Sequence, residues 1–288
     1  MGNRLPYFVV LLGAVLWGTT GTAQSFLPGQ VHPLAIGASR LAVGGYVLLI
    51  YALAMRKLNI KNWPWKATFY SAIAMAIFQP FFFTSVRLTG IAIGTVVAIG
   101  SAPVFSGILE WIFMKRRPER VWMIATILSI TGILLIFLTK GDVVVNPIGI
   151  AMSLGAGLSF AIYTMVSKQV LDQVNTIPAV AMIFSISATI LLPSLIFFNT
   201  EGLYTIKGIS VILYLGLAAT SIAYILFSLG LRLIPSSSAV TLSLAEPLTA
   251  AMLGVFFIGE QLSAWSWAGV ALLLGGILVL TFDGKKPV

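Results

Sequence analysis

Runs of about 20 apolar residues recur along the whole chain, separated by short polar breaks. A helix rises about 1.5 Å per residue, so each run can cross roughly 30 Å of hydrocarbon. Soluble domains carry about 25% charged residues, whereas this chain of 288 residues carries 9% and is 59% hydrophobic. We therefore predict an all-α polytopic membrane protein with ten transmembrane helices. The predicted spans are 6–25, 32–55, 65–87, 92–114, 120–138, 147–170, 175–198, 207–230, 236–258 and 264–282.

The basic residues are concentrated in alternate connections between these spans. Connections on the cytoplasmic side of a membrane carry the excess of positive charge, so both termini are predicted to be cytoplasmic. The net charge of +9 then reflects topology, and we predict a lipid environment and no nucleic-acid partner. On this topology the inside residues are Arg4, Arg56, Lys57, Lys61, Lys66, Lys115, Arg116, Arg117, Arg120, Lys168, Arg232, Lys285 and Lys286, and the outside residues are Arg87, Lys140 and Lys207.

The chain also repeats itself. LGAVL (12–16) resembles LGAGL (154–158) at an offset of 142, and VAIGSAPVFSGIL (97–109) aligns with TLSLAEPLTAAML (241–253) at an offset of 144. We predict two five-helix repeats, 1–142 and 143–288. Because five is an odd number, the second repeat must enter the membrane from the opposite side. Inverted repeats of this kind enclose a central cavity near the midplane, where transporters bind their substrates.

Pro103 and Pro247 coincide in this alignment, each near the centre of its span. Proline removes one backbone hydrogen bond and kinks a helix. In lipid the freed carbonyl must be satisfied by protein or water. Two interpretations remain open at this stage, a structural packing kink and a hinge that moves during transport.

Together these features resemble the drug/metabolite transporter superfamily, in its EamA-type branch. The similarity is carried by LGAVLWGT (12–19), the arginine of GASRLAV (37–43), the AP and EP prolines, and GEQL (259–262). Within that branch the chain is most similar to bacterial YddG-type amino-acid exporters. The resemblance implies a cavity lined mainly by spans one, three, four, six, eight and nine, a bacterial inner-membrane location, and export of amino acids. Glu246 departs from the repeat, because its equivalent is Ala102.

Candidate site residues are the polar and aromatic side chains near the midplane of those six spans. Gln79 is prominent, because an unpaired amide in hydrocarbon costs several kcal/mol; it either contacts the substrate or bonds backbone freed by Pro80 or Pro103. The aromatic residues suggest a pocket for apolar or aromatic side chains. The candidates are Trp17, Thr20, Phe78, Gln79, Phe82, Phe83, Ser101, Ser159, Tyr163, Ser221, Tyr224, Ser243 and Glu246.

Glu246 is an acid near the bilayer centre, where an ionised carboxylate costs at least about 2.5 kcal/mol. Arg40 is a candidate partner, and a buried Arg40–Glu246 ion pair is one interpretation. The alternatives are contact with a substrate amine and a proton-coupling role. Glu110 lies closer to the basic connection after span four, and we expect it to pair with Lys115 or Arg116.

Several functions are excluded or disfavoured by what the sequence lacks. It has no Cys and a single histidine, His32, so no thiolate or multi-His metal site is predicted, and no cofactor. No Walker A, H-E-x-x-H or G-x-S-x-G pattern occurs, so we predict neither an enzyme nor an ATP-driven pump.

The leading hypothesis is a secondary transporter that exports small metabolites, amino acids including aromatic ones, by alternating access. The alternatives are a drug or nucleotide-sugar carrier and, in a different class, a membrane scaffold or lipid-modifying enzyme. The sequence does not specify an oligomeric state, and a monomer is compatible with it.

Overall fold

The computed structural model describes residues 4–138, 146–258 and 261–283. Regular secondary structure in these ranges is entirely helical, which confirms the predicted all-α class. The predicted boundary at residues 142 and 143, Lys140, Lys285, Lys286 and the first two residues of GEQL lie outside the described residues. In chain order the helices are α1 (Leu5–Gln24), α2 (Pro33–Ala54), α3 (Trp65–Gly90), α4 (Ile93–Met114), α5 (Arg120–Leu138), α6 (Pro147–Leu171), α7 (Thr176–Phe197), α8 (Ile206–Leu231), α9 (Ser236–Phe256) and α10 (Ala264–Phe282).

Nine of these helices, counted over the described residues, are long and apolar enough to cross a membrane. The tenth, α5, coincides with the fifth predicted span, but its apolar part, Arg120–Ile136, is shorter than the others. At 1.5 Å per residue that part measures roughly 26 Å, close to the thickness of the hydrocarbon core. The ten predicted spans therefore correspond to nine clear candidates and one shorter apolar helix.

Helices α3 and α4 follow each other with almost no connection, and Gly90 makes the turn. Its φ of 82° and ψ of 162° lie in a region that residues with a Cβ rarely adopt. Four residues later, a Cβ on Gly94 would lie 2.8 Å from the Val86 Cα atom. The two glycines thus allow α4 to return closely along the end of α3.

The contact between α5 and α10 shows how the two repeats are related. A Cβ on Gly132 would lie 2.6 Å from the Gly269 oxygen, and a Cβ on Gly276 would lie 2.6 Å from the Ala125 oxygen. Gly132 is equivalent to Gly276, and Ala125 to Gly269, at the offset of 144. Residue numbers increase along one helix as they decrease along the other, so the equivalent helices run antiparallel. This is the arrangement expected of inverted repeats.

The other helices also pack against helices of the opposite repeat. Gly13 of α1 approaches Ala223 and Phe227 of α8, while its equivalent in α6, Gly155, approaches Phe81 of α3. Helices α2 and α7, which are equivalent to each other, also pack together. The protein interior is therefore assembled mainly from contacts between the repeats.

The two ends of the described chain lie together. The Arg4 guanidinium lies 4.6 Å from the centre of the Phe282 ring, and its Nη2 donates a hydrogen bond of 3.4 Å to the Phe282 oxygen. We call this side of the bundle the terminal end and the opposite side the far end. A chain that crosses the membrane an even number of times must have both of its ends on the same side.

Candidate functional site

A cavity of about 120 Å³ lies between the two repeats, and we call it the central cavity. Seven helices line it: the six implied by the resemblance, together with α2. Aromatic walls with a few convergent polar groups are typical of a small-molecule site. The lining residues are Trp17, Thr20, Gln24, Arg40, Phe78, Gln79, Phe82, Phe83, Ala98, Ile99, Ala102, Phe160, Tyr224, Ser243 and Glu246.

Helix α9 breaks at the point where it lines this cavity. Its first half ends at Leu242 and its second begins at Ala245, so that Glu246 lies in the first turn of the second half. Pro247 follows and cannot donate a backbone hydrogen bond. The Ser243 oxygen instead accepts from the Glu246 amide at 2.9 Å, and Ser243 Oγ donates to the Val240 oxygen at 2.7 Å. The acid and the break are thus parts of one local structure.

The two predicted hinge residues differ in their surroundings. Pro247 lies in the first turn after the break in α9. Pro103 lies inside α4, which continues as a helix to Met114. The hinge role of both residues stays a prediction.

Arg40 reaches the central cavity from α2. Its Nε donates a hydrogen bond of 3.2 Å to Thr220 Oγ1, which in turn donates to the Leu215 oxygen at 2.8 Å. Thr220 belongs to a π-helical stretch of α8, Leu217–Ile222. Within the described residues no hydrogen bond or ion pair within 4.0 Å joins Arg40 to Glu246. An arginine and a glutamate side chain therefore face one cavity, and their direct pairing stays a prediction.

Gln79 is 4% exposed and lines the cavity beside Gly37 of α2. A Cβ on Gly37 would lie 2.9 Å from the Gln79 Oε1 atom, so the glycine leaves space for the amide. In the part of the chain that the structure describes, this amide forms no hydrogen bond. A buried amide without a partner is costly, which favours water or a bound solute over the backbone near Pro80 or Pro103.

Aromatic rings form one wall of the cavity. Phe78 stacks on Phe82 at 5.6 Å between ring centres and contacts Phe160 at 5.9 Å. Trp17 packs against Tyr224 at 4.6 Å. Its buried Nε1 has no hydrogen-bond partner among the described residues. The wall is therefore apolar, with an unused donor beside it.

Four predicted site residues lie outside this lining. Ser101, Ser159 and Ser221 donate to backbone oxygens of Ala98, Gly155 and Gly44 respectively. Tyr163 is buried in the aromatic cluster beside Phe184 and Tyr224. In this conformation these side chains serve helix packing.

The sequence prediction missed several lining residues. Phe160 lies next to the predicted Ser159 but on the cavity face of α6. Gln24 is a polar residue at the end of an apolar helix, which was a usable signal. Ala98, Ile99 and Ala102 have no chemical feature that distinguishes them from residues facing lipid.

A second, larger cavity of about 570 Å³ opens beside the connection between α4 and α5, and we call it the vestibule. Arg116, Arg117, Lys168 and Arg232 contribute positive charges to its lining. Glu110, at 6% exposed, contributes an acid.

The expected pairing of Glu110 with Lys115 or Arg116 is not what the structure shows. The Glu110 carboxylate accepts hydrogen bonds from the Ser236 amide at 2.6 Å and from the Ser237 hydroxyl. The buried start of α9 supplies donors that the exposed basic side chains do not.

A solved crystal structure has the same fold. It superposes with a TM-score of 0.84 at 20% sequence identity and covers 96% of this chain and 96% of its own. The helices, the inverted packing and this similarity define a polytopic helical membrane protein built from two repeats. A sequence model of the EamA-like transporter family matches residues 4–138 and again residues 147–282. The chain belongs to this family and is a membrane transporter.

Its relatives support the class. An uncharacterized transporter of Bacillus subtilis, YwfM, is 48% identical over 285 residues, covering 99% of this chain and 96% of its own length. The threonine/homoserine exporter RhtA of Escherichia coli K12 is 28% identical and covers 98% of this chain and 93% of its own length. An uncharacterized inner membrane transporter of Salmonella typhimurium, YicL, is 26% identical, with coverages of 96% and 95%. The narrower likeness to YddG-type exporters stays a prediction.

Proposed function

We propose that this transporter exports amino acids, including aromatic ones, or closely related zwitterionic metabolites, by alternating access across the bacterial inner membrane. The similarity to RhtA supports amino acids as the substrate class. Repeat 1–142 and repeat 143–288 would rock about the central cavity. The basic terminal end would lie in the cytoplasm, as the distribution of Lys and Arg predicts.

The observation that carries this proposal is the presence of one guanidinium group and one carboxyl group in the same small cavity. Arg40 and Glu246 both line it. An α-amino acid carries a carboxylate and an ammonium group close together, so Arg40 would bind the carboxylate and Glu246 the ammonium. A solute that neutralises both charges offsets the cost of holding them within the membrane.

The remaining lining residues suit the rest of such a solute. The stacked rings of Phe78 and Phe82 provide an apolar surface for its side chain. Gln79, which has no partner among the described residues, offers both a donor and an acceptor. This combination favours solutes with an apolar or aromatic side chain and one polar head group.

The test compares amino acids with analogues that lack one charge. Proteoliposomes loaded with unlabelled phenylalanine or threonine should accumulate the labelled amino acid by exchange. The amine without a carboxylate and the acid without an amine should compete poorly. Arg40→Gln should reduce the preference for the amino acid over the amine that lacks a carboxylate, by at least about tenfold. Glu246→Gln should reduce the preference for the amino acid over the acid that lacks an amine by a similar factor. The reason is that a hydrogen bond to a charged group contributes about 1.5–3 kcal/mol.

Lys207→Gln and Glu201→Gln are the matched controls, because they remove the same charges from far-end residues outside the central cavity lining. Both should exchange as the native protein does. Native discrimination in both cavity variants would remove Arg40 and Glu246 from the proposed site. Exchange of sugar nucleotides or of drug-like cations, without exchange of amino acids, would favour the alternative carriers.

A proton-coupling role for Glu246 is a second candidate within the same function. The carboxylate faces the cavity without a hydrogen bond or ion pair in the described part of the chain, so it is available to a proton as well as to a substrate amine. Exchange driven by an imposed pH gradient, and lost in Glu246→Gln, would support coupling. Gradient-independent exchange would assign the residue to substrate binding alone.

A further inference from the structure

The central cavity and the vestibule lie along the same stretches of α4 and α9. On α4, Ala102 lines the central cavity and Gly107 the vestibule; on α9 the corresponding residues are Ser243 and Ser238. Five residues of helix span about 7.5 Å. The two cavities are thus separated by a thin layer, about one and a half helical turns, of buried residues such as Ser106, Ala239 and Leu242.

A buried acid, Glu110, and a partly buried base, Lys168, hold the terminal-end side of this layer together. Glu110 of α4 binds the amide and hydroxyl groups at the start of α9, where the free backbone N–H groups of a helix attract an anion. Lys168 of α6 donates to the Leu231 and Ile234 oxygens at the end of α8, where a cation is favoured. The connection between α8 and α9 is therefore attached to α4 by an acid and to α6 by a base.

Among the residues that the structure describes, the far end shows no equivalent attachment between α9 and α4. At the offset of 144, Glu110 corresponds to Gly254, which has no side chain to bind the start of α4. The first half of α9, Ser236–Leu242, packs against α4, whereas its second half, Ala245–Leu253, contacts α4 only sparsely. Helices α4 and α9 therefore pack closely at the terminal end and have few contacts with each other at the far end.

We infer that the Glu110 and Lys168 contacts form the terminal-end gate of the transport path. With the gate closed, the central cavity is cut off from the vestibule; releasing the start of α9 joins the two cavities and admits solute from the vestibule. This inference rests on the proposed transport function. It assigns the gate to contacts that no sequence motif marks.

The test uses the absence of cysteine from the native chain. Ser243→Cys places one thiol in the central cavity, and a membrane-impermeant maleimide is applied from either side of oriented vesicles. In the Ser243→Cys single variant, the thiol should react faster with maleimide applied at the far end than with maleimide applied at the terminal end. Adding Glu110→Gln should raise the reaction rate from the terminal side at least tenfold, because the neutral amide binds the start of α9 weakly. Glu201→Gln, which removes one acid at the far end, is the control and should change neither rate.

Two milder variants test the gate in case Glu110→Gln does not fold. Ser237→Ala removes only the hydroxyl contact to Glu110, and Lys168→Gln weakens the contacts to the end of α8. Both should raise the terminal-side rate, by less than Glu110→Gln. Unchanged terminal-side rates in these variants, or equal reaction of the Ser243→Cys thiol from both sides, would overturn the gate.

The labelling does not depend on which solute is carried. A gate that responds as expected, in a protein that exchanges no amino acid, would leave the gate standing and remove the proposed substrate. Amino-acid exchange in a protein whose labelling rates do not change on substitution of Glu110 or Lys168 would leave the proposed substrate standing and remove the gate.

Discussion

At the scale of single residues, polar side chains inside the membrane acquire their roles from what they do or do not contact. Glu110 is buried and fully engaged at the start of α9. Gln79 is also buried and Glu246 is partly buried, yet neither forms a hydrogen bond within the described residues. Because burying an unpaired polar group is costly, engaged groups hold helices together and unengaged groups indicate where water or solute enters.

His32 gives a prediction at this scale. Its Nδ1 accepts a hydrogen bond of 3.2 Å from the Leu34 amide at the start of α2, and its ring stacks on Phe198. Burial, and secondly the nearby Arg87, lower the pKa of His32 below its ordinary value of 6.5. The neutral ring is the form that caps the helix, so this contribution to stability is present above pH 6.5 and is lost as the pH falls through the lowered pKa.

The measurement is direct, because His32 is the single histidine of the chain and gives one imidazole resonance. Its titration midpoint should lie below 6.5 and should rise in Arg87→Gln. Lys207→Gln, a loss of one positive charge from another far-end residue, should leave the midpoint in place. A midpoint at or above 6.5 would show that the ring is exposed and does not cap α2.

At the scale of helices, close approach through small residues holds the repeats together. Lipid tails are as apolar as leucine, so helices in a membrane associate through packing and hydrogen bonds rather than through the hydrophobic effect. Helices α5 and α10 meet at Gly132, Gly269 and Gly276, where a Cβ would lie within 2.6 Å of backbone oxygens. The adjacent Gly275 has no atom within 4 Å of the position of a Cβ.

This pair gives a matched experiment. Gly276→Ala should lower the thermal unfolding midpoint in detergent, because overpacking a close contact costs about 1–3 kcal/mol. Gly275→Ala should leave the midpoint unchanged or raise it slightly, since alanine favours a helix over glycine by up to about 1 kcal/mol. Equal midpoints for the two variants would mean that α5 and α10 do not pack at the described distance.

At the scale of the whole molecule, two repeats of one fold are arranged asymmetrically. Helix α9 packs on α4 at the terminal end, through Glu110, and its second half makes few contacts with α4 at the far end. An inverted repeat can exchange these two arrangements, which is the physical basis of alternating access. The equivalent positions Glu110 and Gly254, or Glu246 and Ala102, show that the repeats have diverged in charge while retaining their packing.

The topology can be tested without transport. Tyr204→Cys, at an exposed far-end position, should react with an impermeant maleimide on intact cells. Lys61→Cys, in the connection between α2 and α3, should react only after the membrane is permeabilised. The reverse pattern would place the terminal end outside the cell and would invert the direction of every proposed step.

The sequence by itself determined the membrane class, the helices, the repeat and most of the lining. Apolar length and sequence offset are local properties, and they identified the helices and the equivalence of Gly132 with Gly276. Arg40, Gln79 and Glu246 were identified because an isolated polar group in hydrocarbon costs free energy, whichever face of its helix it occupies.

Only the tertiary structure decided which face of each helix meets the cavity. It placed Phe160 rather than its neighbour Ser159 in the cavity lining and left Ser101, Tyr163 and Ser221 outside that lining. It also paired Glu110 with the start of α9. A helix of a soluble protein reveals its inner face by a polar stripe on the other side. Here lipid and protein interior are equally apolar, so the helices look alike on all faces until their neighbours are known.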